Sequence, residues 1–570
     1  MRRDVETRTT RYCGCADPPA GTRSGAPPHF RTLRCGRAAL DAFRTAPSCA
    51  IMDPLQPVSG KLPRSDPREA SLAIERFLKS ATKPVLIEPG DDLLAVSRET
   101  FVFAERGSAL TVECWNETRN LVRRVLRVKL ERSGRLELEV ERFGGRTGPL
   151  TMLDLDRAAN REAARRGTRL RYRERFRQCL HRQFPAWRIV ELSTEPDLEH
   201  TLSPSYPRAF LRKGSAGLAA IGAADDSLSP DGALTFGLIW LDYLRRRERG
   251  LLIEGLAIFL PVGAEATTCH RVRHLNPNAA RYSVFVHDSA GEERVQPGDY
   301  TNLFTRLDPC RQPLAGASQP LLRLAGRLAA IPGVERRNRT DGSAGFAVNG
   351  LEFARVSADG LAFGLDRKHS IRSDAVLTDV HGDEIEALAL GLGAMRNADA
   401  PDRHNPLYQR HPEAWLESRI RADIEALDAT LLPSPVYGQV PEFAAGDRSI
   451  IDLLAVDRDG RLVIIEVKAD QDIHLPLQAL DYWMRVKWHL ERGEFAKNGY
   501  FPGISLRADP PRLILAAPAL DWHPSNEGVL RYIAPTLDIL RLGVGIEWRR
   551  DLKVMFRSPI GTWHSQFFAK

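Results

Sequence analysis

Three charged side chains interrupt two otherwise apolar segments near the C-terminus of the chain. Asp452 lies within "SIIDLLAV", and Glu466 and Lys468 lie within "RLVIIEVK". Two carboxylates and an ammonium in covered strands carry a large desolvation cost, so something must compensate them. Carboxylate oxygens that converge on one face are the ligands that Mg²⁺ prefers, together with water and substrate phosphate. The chemistry that these residue types indicate is metal-assisted hydrolysis of phosphodiesters.

The spacing of these residues predicts that they meet on one face of a sheet. Side chains alternate along a strand, so Glu466 and Lys468 point the same way, about 7 Å apart along the strand. The "RDG" at 458–460 separates the two segments and favours a tight antiparallel hairpin. Folding at that turn would bring Asp452 close to Glu466.

A helix must precede this hairpin. The segment "HPEAWLESRIRADIEALDATLLP" has helical spacing of its apolar residues, which predicts one continuous helix carrying the buried stripe Leu416, Ile420, Ile424 and Leu427. Glu417 falls at the edge of that stripe, where it could reach the sheet. Glu413 is the alternative acid on the same helix, and a plain surface role for either remains open.

A second helix follows the hairpin at "LPLQALDYW", and Pro476 suits its first turn. A polar row is predicted to face the carboxylates, and it consists of Gln478, Tyr482, Arg485 and His489. An apolar set is predicted to pack beneath it, namely Leu477, Leu480 and Met484. His474, just before the helix, is interpreted as a local cap or a surface residue.

These motifs together resemble the PD-(D/E)XK nuclease superfamily over roughly residues 405–570. Asp452 followed by Glu466-Val467-Lys468 resembles the D…ExK signature, and Gln478 with Tyr482 resembles the Q-x-x-x-Y motif of the RecB-like branch. The segment is most similar to the C-terminal nuclease domain of NucS-type endonucleases. Ile451 stands where the signature nominally has proline. The resemblance implies a restriction-endonuclease-like α/β core.

The resemblance also implies roles for individual residues. Asp452, Glu466 and the Val467 carbonyl would bind Mg²⁺ or Mn²⁺, with Glu417 as the acid of the first helix. Lys468 would activate water, and Gln478 would steady the lysine, the water or a phosphate. The expected partner is single-stranded, branched or mismatched DNA, in repair or defence. The residues implied to touch its backbone are Tyr482 and Arg485.

Other functions remain open from the sequence. A protein that uses an inactive nuclease fold to bind nucleic acid or to assemble with a partner is the main alternative. A restriction-type enzyme would need a base-reading element that the sequence does not identify. The residues do not decide whether the substrate is DNA or RNA, or whether cutting is internal or terminal. They also do not decide whether the protein is a homodimer or a monomer.

The 570 residues predict a multidomain α/β protein. Residues 1–51 hold nine Arg and four acids and are interpreted as a disordered arm or a non-native extension, with Met52 as the start. A linker with a short helix is expected over 52–83, and a β-rich domain over 84–150, where apolar and polar residues alternate. An α/β region of unknown role follows over 155–395, then a linker near 397–406 and the nuclease domain over 405–570.

The region 155–395 has a helix–strand–strand–helix–strand order like that of the nuclease core, but it lacks an ExK triplet. A degenerate copy of the C-terminal domain and a packing or binding module are both open. Its first helix is crowded with arginine and could neutralise phosphates, with Tyr172, Phe176 and Trp187 as stacking surfaces. The alternative is a solvated helix face.

The remaining features favour an intracellular setting. After residue 52 the cysteines are widely spaced and are expected to be buried or idle thiols in a reducing compartment; they are Cys114, Cys179, Cys269 and Cys310. "TCHRVRH" at 268–274 lacks the four ligands of a zinc site and is expected to be a polar loop. No apolar run reaches the length of a membrane span, so a cytoplasmic protein is expected.

Overall fold

The computed structural model describes residues 66–88, 93–97, 99–106, 109–115, 120–141, 147–224, 230–288, 290–365, 369–372, 379–444 and 447–560. The chain divides into two units, Met1–Pro63 and Arg64–Lys570, and all that follows concerns the second. The interpretation of residues 1–51 lies outside the described residues. The described part is a mixed α/β protein with four sheets. None of its helices is both long enough and apolar enough to cross a bilayer.

The first sheet is antiparallel and is covered by one helix. Helix α1 spans Pro67–Ser80, is capped by Asp66, and buries Ala70, Ala73, Ile74 and Phe77 against the sheet. The strands are β1 Pro84–Ile87, β2 Leu94–Ala95, β3 Phe101–Arg106, β4 Ala109–Trp115, β5 Asn120–Arg132, β6 Arg135–Glu141 and β7 Thr147–Asp154, in the order β2-β1-β7-β6-β5-β4-β3. Burial alternates residue by residue along β4 and β6, as the sequence pattern predicts.

The second sheet is mixed and has a helix on each face. Its elements are α2 Ala158–Gln183, β8 Arg188–Ser193, β9 Arg208–Lys213, β10 Ala216–Gly222, α3 Gly232–Arg247, β11 Leu252–Pro261, α4 Ala266–Val272, β12 Arg281–His287 and β13 Glu292–Val295. The strand order is β13-β12-β11-β10-β9-β8, with β10, β11 and β12 parallel. Helix α2 covers one face with Tyr172 and Phe176, and α3 covers the other with Leu238 and Leu241.

The third sheet is an antiparallel meander, so the range predicted as one α/β region holds two separate sheets. The elements are β14 Thr305–Leu307, α5 Gln319–Ala330, β15 Val334–Asn338, β16 Ala344–Val348, β17 Leu351–Ser357, β18 Gly360–Phe363, β19 His369–Arg372 and α6 Asp379–Met395. Strands β15 to β19 pair in chain order, and α5 and α6 pack against them. Strand β14 leaves this group and pairs with the C-terminal sheet.

The C-terminal sheet has seven strands in the order β14-β20-β21-β22-β23-β24-β25. Its elements are α7 Pro406–Gln409, α8 Pro412–Ala422, α9 Ile424–Leu427, β20 Tyr437–Ala444, β21 Asp447–Val456, β22 Leu462–Val467, α10 Leu475–Glu491, α11 Glu494–Lys497, β23 Arg512–Pro518, α12 Pro524–Leu530, β24 Ile539–Val544 and β25 Val554–Ile560. Strands β22, β23 and β24 are parallel, and every residue of β22 is buried. This strand is covered on both faces, as its apolar sequence indicates.

The helix predicted before the hairpin is broken into two. Helix α8 ends at Ala422 because the backbone of Asp423 leaves the helical conformation, with φ of −144° and ψ of 71°. The Asp423 side chain then accepts a hydrogen bond from the Ala426 N–H and caps α9. The prediction of one continuous helix was therefore wrong, although all four residues of the predicted stripe are buried.

One apolar core joins the second sheet to the C-terminal sheet. Leu238 and Leu241 of α3 belong to the same buried cluster as Leu477 and Leu480 of α10. The two regions are thus packed together through the helices that cover their facing sides.

Candidate functional site

The β21–β22 hairpin brings the two predicted carboxylates to facing positions. Leu453 lies opposite Ile465 and Leu454 opposite Ile464, a register that places Asp452 across from Glu466. At the turn, Gly460 has a φ of +85°, and a Cβ there would lie 2.4 Å from the Ser505 carbonyl oxygen. Glycine is therefore required at this position. The tight hairpin predicted from "RDG" is present.

Asp452 is held by the backbone of the neighbouring strand. Its Oδ2 accepts a hydrogen bond of 2.9 Å from the Val467 N–H. The pKa of Asp452 is raised to about 6, mainly by burial and also by the nearby charge of Glu417, although the hydrogen bond from Val467 opposes the shift. The side chain is fixed in direction but costly to ionise in the protein alone.

Glu466 is the most deeply buried acid of the group. It is 2% exposed, and its Oε1 lies 3.3 Å from the Lys468 Nζ. Its Oε2 is buried and receives no hydrogen-bond donor from any residue that the structure describes. Burial first, and then the facing charge of Asp452, hold the pKa of Glu466 well above its usual range. One oxygen of a carboxylate that lies across from Asp452 is thus buried without a hydrogen-bond donor among the described residues.

Lys468 lies directly after β22 and supplies the positive charge of the group. Its Nζ contacts Glu466 and lies 3.8 Å from Asp472 Oδ2. Burial alone would lower the pKa of Lys468, but the carboxylates of Glu466 and Asp452 outweigh it and raise the pKa above its usual value. In the protein as described, the side chain is an ammonium that can donate hydrogen bonds.

Glu417 lies near the pair but is engaged elsewhere. Its Oε1 accepts a hydrogen bond of 2.6 Å from Arg421 and lies 3.8 Å from Arg337 Nη1, which comes from the third sheet. Gly438 makes room for this pair, because a Cβ there would meet the Arg421 guanidinium. Of the two acids considered on α8, Glu417 is the one whose charge acts on Asp452. Glu413 is half-buried in the first turn of α8.

The α10 residues line a cleft beside Lys468. Gln478, Tyr482 and Arg485 share with Lys468 a cleft of ≈ 360 Å³. Burial, and then the charges of Glu466 and Asp452, raise the pKa of Tyr482. The three apolar residues predicted to pack beneath this row are all buried. The structure therefore brings Lys468, Gln478, Tyr482 and Arg485 to one opening.

His489 does not belong to this row. It is fully buried, its Nδ1 bonds the Glu494 carboxylate, and its Nε2 lies 3.2 Å from Thr305 Oγ1 on β14. It lies about three turns beyond Gln478 and about two beyond Tyr482, where α10 contacts Thr305 of β14. The prediction that it faces the cleft was wrong.

The opposite wall of the cleft comes from the second sheet's helices, and no sequence pattern indicated it. Asp231, Gly232 and Thr235 at the start of α3 line it, together with Arg271 of α4. Arg271 forms a two-bond ion pair with Asp481 of α10, at 2.9 and 2.7 Å. The partners are 210 positions apart in the chain, so no local pattern could have indicated this wall.

Two smaller predictions about this wall are corrected. His474 is the half-buried N-cap residue of α10, but its side chain makes no capping hydrogen bond; its Nδ1 lies 3.1 Å from Thr235 Oγ1 and joins α10 to α3. "TCHRVRH" is mostly helix α4, with its Cys269 buried. His274 packs edge-on against Trp483 at 5.3 Å, and burial lowers its pKa to about 4. The segment is a packed helix because it is covered by α10.

The arginine-rich α2 differs from the expectation in its aromatic residues. Tyr172 and Phe176 are 7% and 1% exposed and belong to the core, so they are not stacking surfaces. Arg177 is paired with Glu174, and Arg182 with Glu292. Phosphate contact by this helix stays a prediction. The four cysteines after residue 52 are free thiols, three of them buried.

Comparison with protein-family models finds no match for this chain, and comparison with curated proteins finds none either. The site must therefore be interpreted from its own chemistry.

The donor set fits a hard divalent cation. Asp452 and Glu466 lie at opposed strand positions, Glu466 has a buried, donor-free oxygen, and such an ion needs only one or two carboxylates besides water and phosphate. Within the described ranges no group of three or more His, Cys, Asp or Glu is arranged as a metal site. The Val467 carbonyl as a further ligand stays a prediction.

Substituting Asp452 by Asn should stabilise the metal-free protein. A carboxyl whose pKa is raised from 3.8 to about 6 in the folded state loses stability as the pH rises through that interval. The amide avoids this loss and can donate a hydrogen bond to Glu466 Oε2. In EDTA at pH 8 we expect a gain of about 1–3 kcal/mol in the free energy of unfolding, which shrinks as the pH falls towards about 4. Urea denaturation at both pH values measures it, and a loss at pH 8 would contradict the electrostatic account.

Manganese should stabilise the wild-type protein but not a variant with Glu466→Gln. A ligand that binds only the folded state stabilises it by mass action, about 2.7 kcal/mol at 100 times its Kd. Thermal unfolding with increasing MnCl₂, in parallel with CaCl₂ as a larger ion, measures the effect. Equal stabilisation of both proteins by Mn²⁺ would place the ion elsewhere.

Proposed function

We propose that the protein is a metal-dependent nuclease that hydrolyses phosphodiester bonds of DNA. The observation that carries the proposal is the buried pair of facing carboxylates, Asp452 and Glu466, of which Glu466 has a donor-free oxygen and contacts the Lys468 ammonium, which in turn lines a polar cleft. Burying these charges in covered strands costs stability, and a bound cation would offset that cost.

The chain's own residues have distinct tasks in this proposal. Asp452 and Glu466 would hold Mg²⁺ or Mn²⁺, which when bound would supply Lewis acidity towards the phosphoryl oxygen and favour deprotonation of water. Lys468 orients the attacking water and offsets charge on the phosphorus oxygens in the transition state. Gln478, one turn into α10, steadies the lysine, the water or a phosphate. Tyr482 and Arg485 contact the DNA backbone along the same cleft.

Supporting this reading, the sequence resembles PD-(D/E)XK nucleases at the same positions that the fold brings together. The C-terminal sheet supplies the antiparallel hairpin, the crossover helix and the parallel strands of the proposed restriction-endonuclease-like core. A role in repair or defence, on single-stranded, branched or mismatched DNA in the cytoplasm, rests on the resemblance alone.

A second candidate is a non-catalytic nucleic-acid-binding or assembly protein. Two observations favour it. Glu417, the acid expected from the first helix, is occupied by Arg421 and Arg337, and the described residues contain no cluster of three metal-ligating side chains. In this reading Lys468 and Arg485 serve only to grip phosphates.

A substrate panel separates the two candidates. Labelled single-stranded, duplex, splayed and mismatched DNA, with one RNA, would be incubated with the protein in Mn²⁺, and both cutting and binding followed. The nuclease proposal predicts cleavage with a clear ranking of the substrates. Tight binding without cutting, unchanged by Glu466→Gln, would support the non-catalytic candidate.

Substituting Lys468 by Met should separate metal binding from catalysis. The methionine keeps the stem's packing but removes the ammonium, so we expect cleavage to fall about 10²–10³-fold. Stabilisation by Mn²⁺ should persist because both carboxylates remain. Lys553→Met, at an exposed lysine paired with Asp551, is the matched control. Unchanged cleavage in Lys468→Met would exclude this lysine from the reaction.

A further inference from the structure

The second sheet and the C-terminal sheet have the same topology. In the second, strands β8 to β13 pair in chain order with the directions antiparallel, antiparallel, parallel, parallel, antiparallel. In the C-terminal sheet, strands β20 to β25 pair in the same order with the same directions. The connecting helices also correspond, α2 to α8, α3 to α10 and α4 to α12. Residues 158–295 therefore form a second copy of the core, which we call the silent core.

The register of the two copies identifies matching positions. In the C-terminal sheet, Glu466 pairs with Leu515, and Leu515 is three residues before the proline that ends β23. In the second sheet, Ile221 pairs with Ile258, and Ile258 is three residues before the proline that ends β11. Ile221 therefore occupies the position of Glu466. Arg208 lies opposite Ile221, the position that Asp452 occupies relative to Glu466. Ala223 lies two residues after Ile221, as Lys468 lies two residues after Glu466, so Ala223 occupies the position of Lys468.

These matching residues cannot form a cation site. Ile221 and Ala223 have no ligand atoms in their side chains. Arg208 is buried, stacks over Trp240 at 5.6 Å, and donates to the Glu195 carbonyl, so a guanidinium stands at the place of the carboxylate. A fixed positive charge there opposes a divalent cation. The silent core has the fold of the other copy without its chemistry.

The two copies contact each other through matching surfaces. Leu275 and Ile533, each three residues past the end of α4 or α12, form an antiparallel bridge. Asn276 N–H donates to the Tyr532 carbonyl, and Ala534 N–H donates to the His274 carbonyl. Helix α10 contacts α4 through Asp481 and Arg271, and α3 contacts the end of α12 through Arg245 and Tyr532. Such exchange of equivalent contacts is what a two-fold pair of subunits shows.

We propose that the silent core takes the place of a second subunit, so that the chain acts as a monomer with a single cutting centre and breaks one strand of duplex DNA per binding event. The proposal rests on the nuclease function above. A two-fold pair of identical subunits presents two equivalent sites to the two antiparallel strands of a duplex. Here the surface for such a pair is already used within one chain, and one of the two sites lacks its ligands.

The test combines the mass of the complex with the product of cutting. Mass photometry of the full chain, alone and on a duplex, should give one chain per complex. Supercoiled plasmid in Mn²⁺ should become open circles before any linear form appears. When Glu466→Gln protein is added in amounts below saturation of the DNA, the cleavage rate per wild-type chain should not change. Two chains per DNA, or linear plasmid with no open-circle stage, would overturn the proposal.

A cross-link tests the internal pairing without reference to catalysis. Leu275→Cys and Ile533→Cys in one chain face each other in an antiparallel bridge, at a distance that suits a disulfide. We expect a link between these positions within single chains, read by peptide mass spectrometry at the mass of a monomer. A link found only in dimers would overturn the pairing. If the wild type cuts no substrate, the proposed nuclease function is overturned instead. The mass of the complex and the cross-link still decide whether the two cores pair within one chain.

Discussion

Replacing Glu466 by Gln is expected to reduce cleavage by at least about 10³-fold while leaving DNA binding within about two-fold of the wild type. The amide has the shape of the carboxylate but cannot supply the anionic oxygen that now lies buried without a donor. A divalent cation would lose one of two carboxylates, and with it most of the charge that holds it. The cleft proposed to bind DNA contains Gln478, Tyr482 and Arg485, none of which is changed.

The comparison needs readouts for folding, binding and cutting. Circular dichroism and urea denaturation of the variant in EDTA should match or exceed the wild type, because the substitution removes a costly buried charge. Fluorescence anisotropy with labelled DNA in Ca²⁺ measures binding, and initial rates in Mn²⁺ measure cutting. Glu547→Gln, at an exposed acid in the same domain, is the matched control. A folded Glu466→Gln protein that cuts at the wild-type rate would exclude this residue from the reaction.

Replacing Arg396 by Met is expected to destabilise the protein by about 3–5 kcal/mol. This arginine is fully buried and donates to backbone carbonyls of residues 349, 407, 408, 410 and 411. It also lies over the Trp415 ring, 4.7 Å from its centroid. The segment predicted as a linker near 397–406 is therefore tied to the start of α8. Methionine fills much of the volume but leaves the carbonyls without their donor.

Urea denaturation of the wild-type protein, Arg396→Met and Arg403→Met measures this effect. Arg403 is exposed on the same segment and should change the midpoint little. Arg396 holds the start of α8, and α8 carries Glu417 near the carboxylate pair. We therefore also expect Arg396→Met to lower the midpoint of thermal unfolding measured in Mn²⁺. A variant as stable as the wild type would mean that water replaces the guanidinium at these carbonyls.

The parts of the site that the sequence predicted are those fixed by local geometry. Strand alternation places Glu466 and Lys468 on one face, and a short turn with Gly460 fixes the register that opposes Asp452 to Glu466. Helical spacing places Gln478 and Tyr482 on one side of α10. Each of these relations spans fewer than about 20 residues, so the local pattern contains the information.

The parts that the sequence did not predict depend on contacts between distant segments. Glu417 pairs with Arg337, which joins α8 to a strand of the third sheet. Arg271 pairs with Asp481, which closes the cleft on the side of the second sheet. The helix break at Asp423 was not predicted because the helical spacing of apolar residues continues through it. The backbone nevertheless leaves the helix at Asp423, and α9 begins at the next residue. His474 was misread for the same reason, since its partner Thr235 lies 239 positions away.

The Asp452–Glu466 pair is proposed to hold a divalent cation that is required for cutting DNA. Metal-stripped wild-type protein and Glu466→Gln would be mixed with one labelled duplex while Mn²⁺ is titrated, and the initial rate of strand cleavage measured. We predict no cutting in EDTA, a saturable rise with Mn²⁺ in the wild type, and a flat baseline in the variant. Cutting in EDTA, or the same metal response in both proteins, would contradict the account.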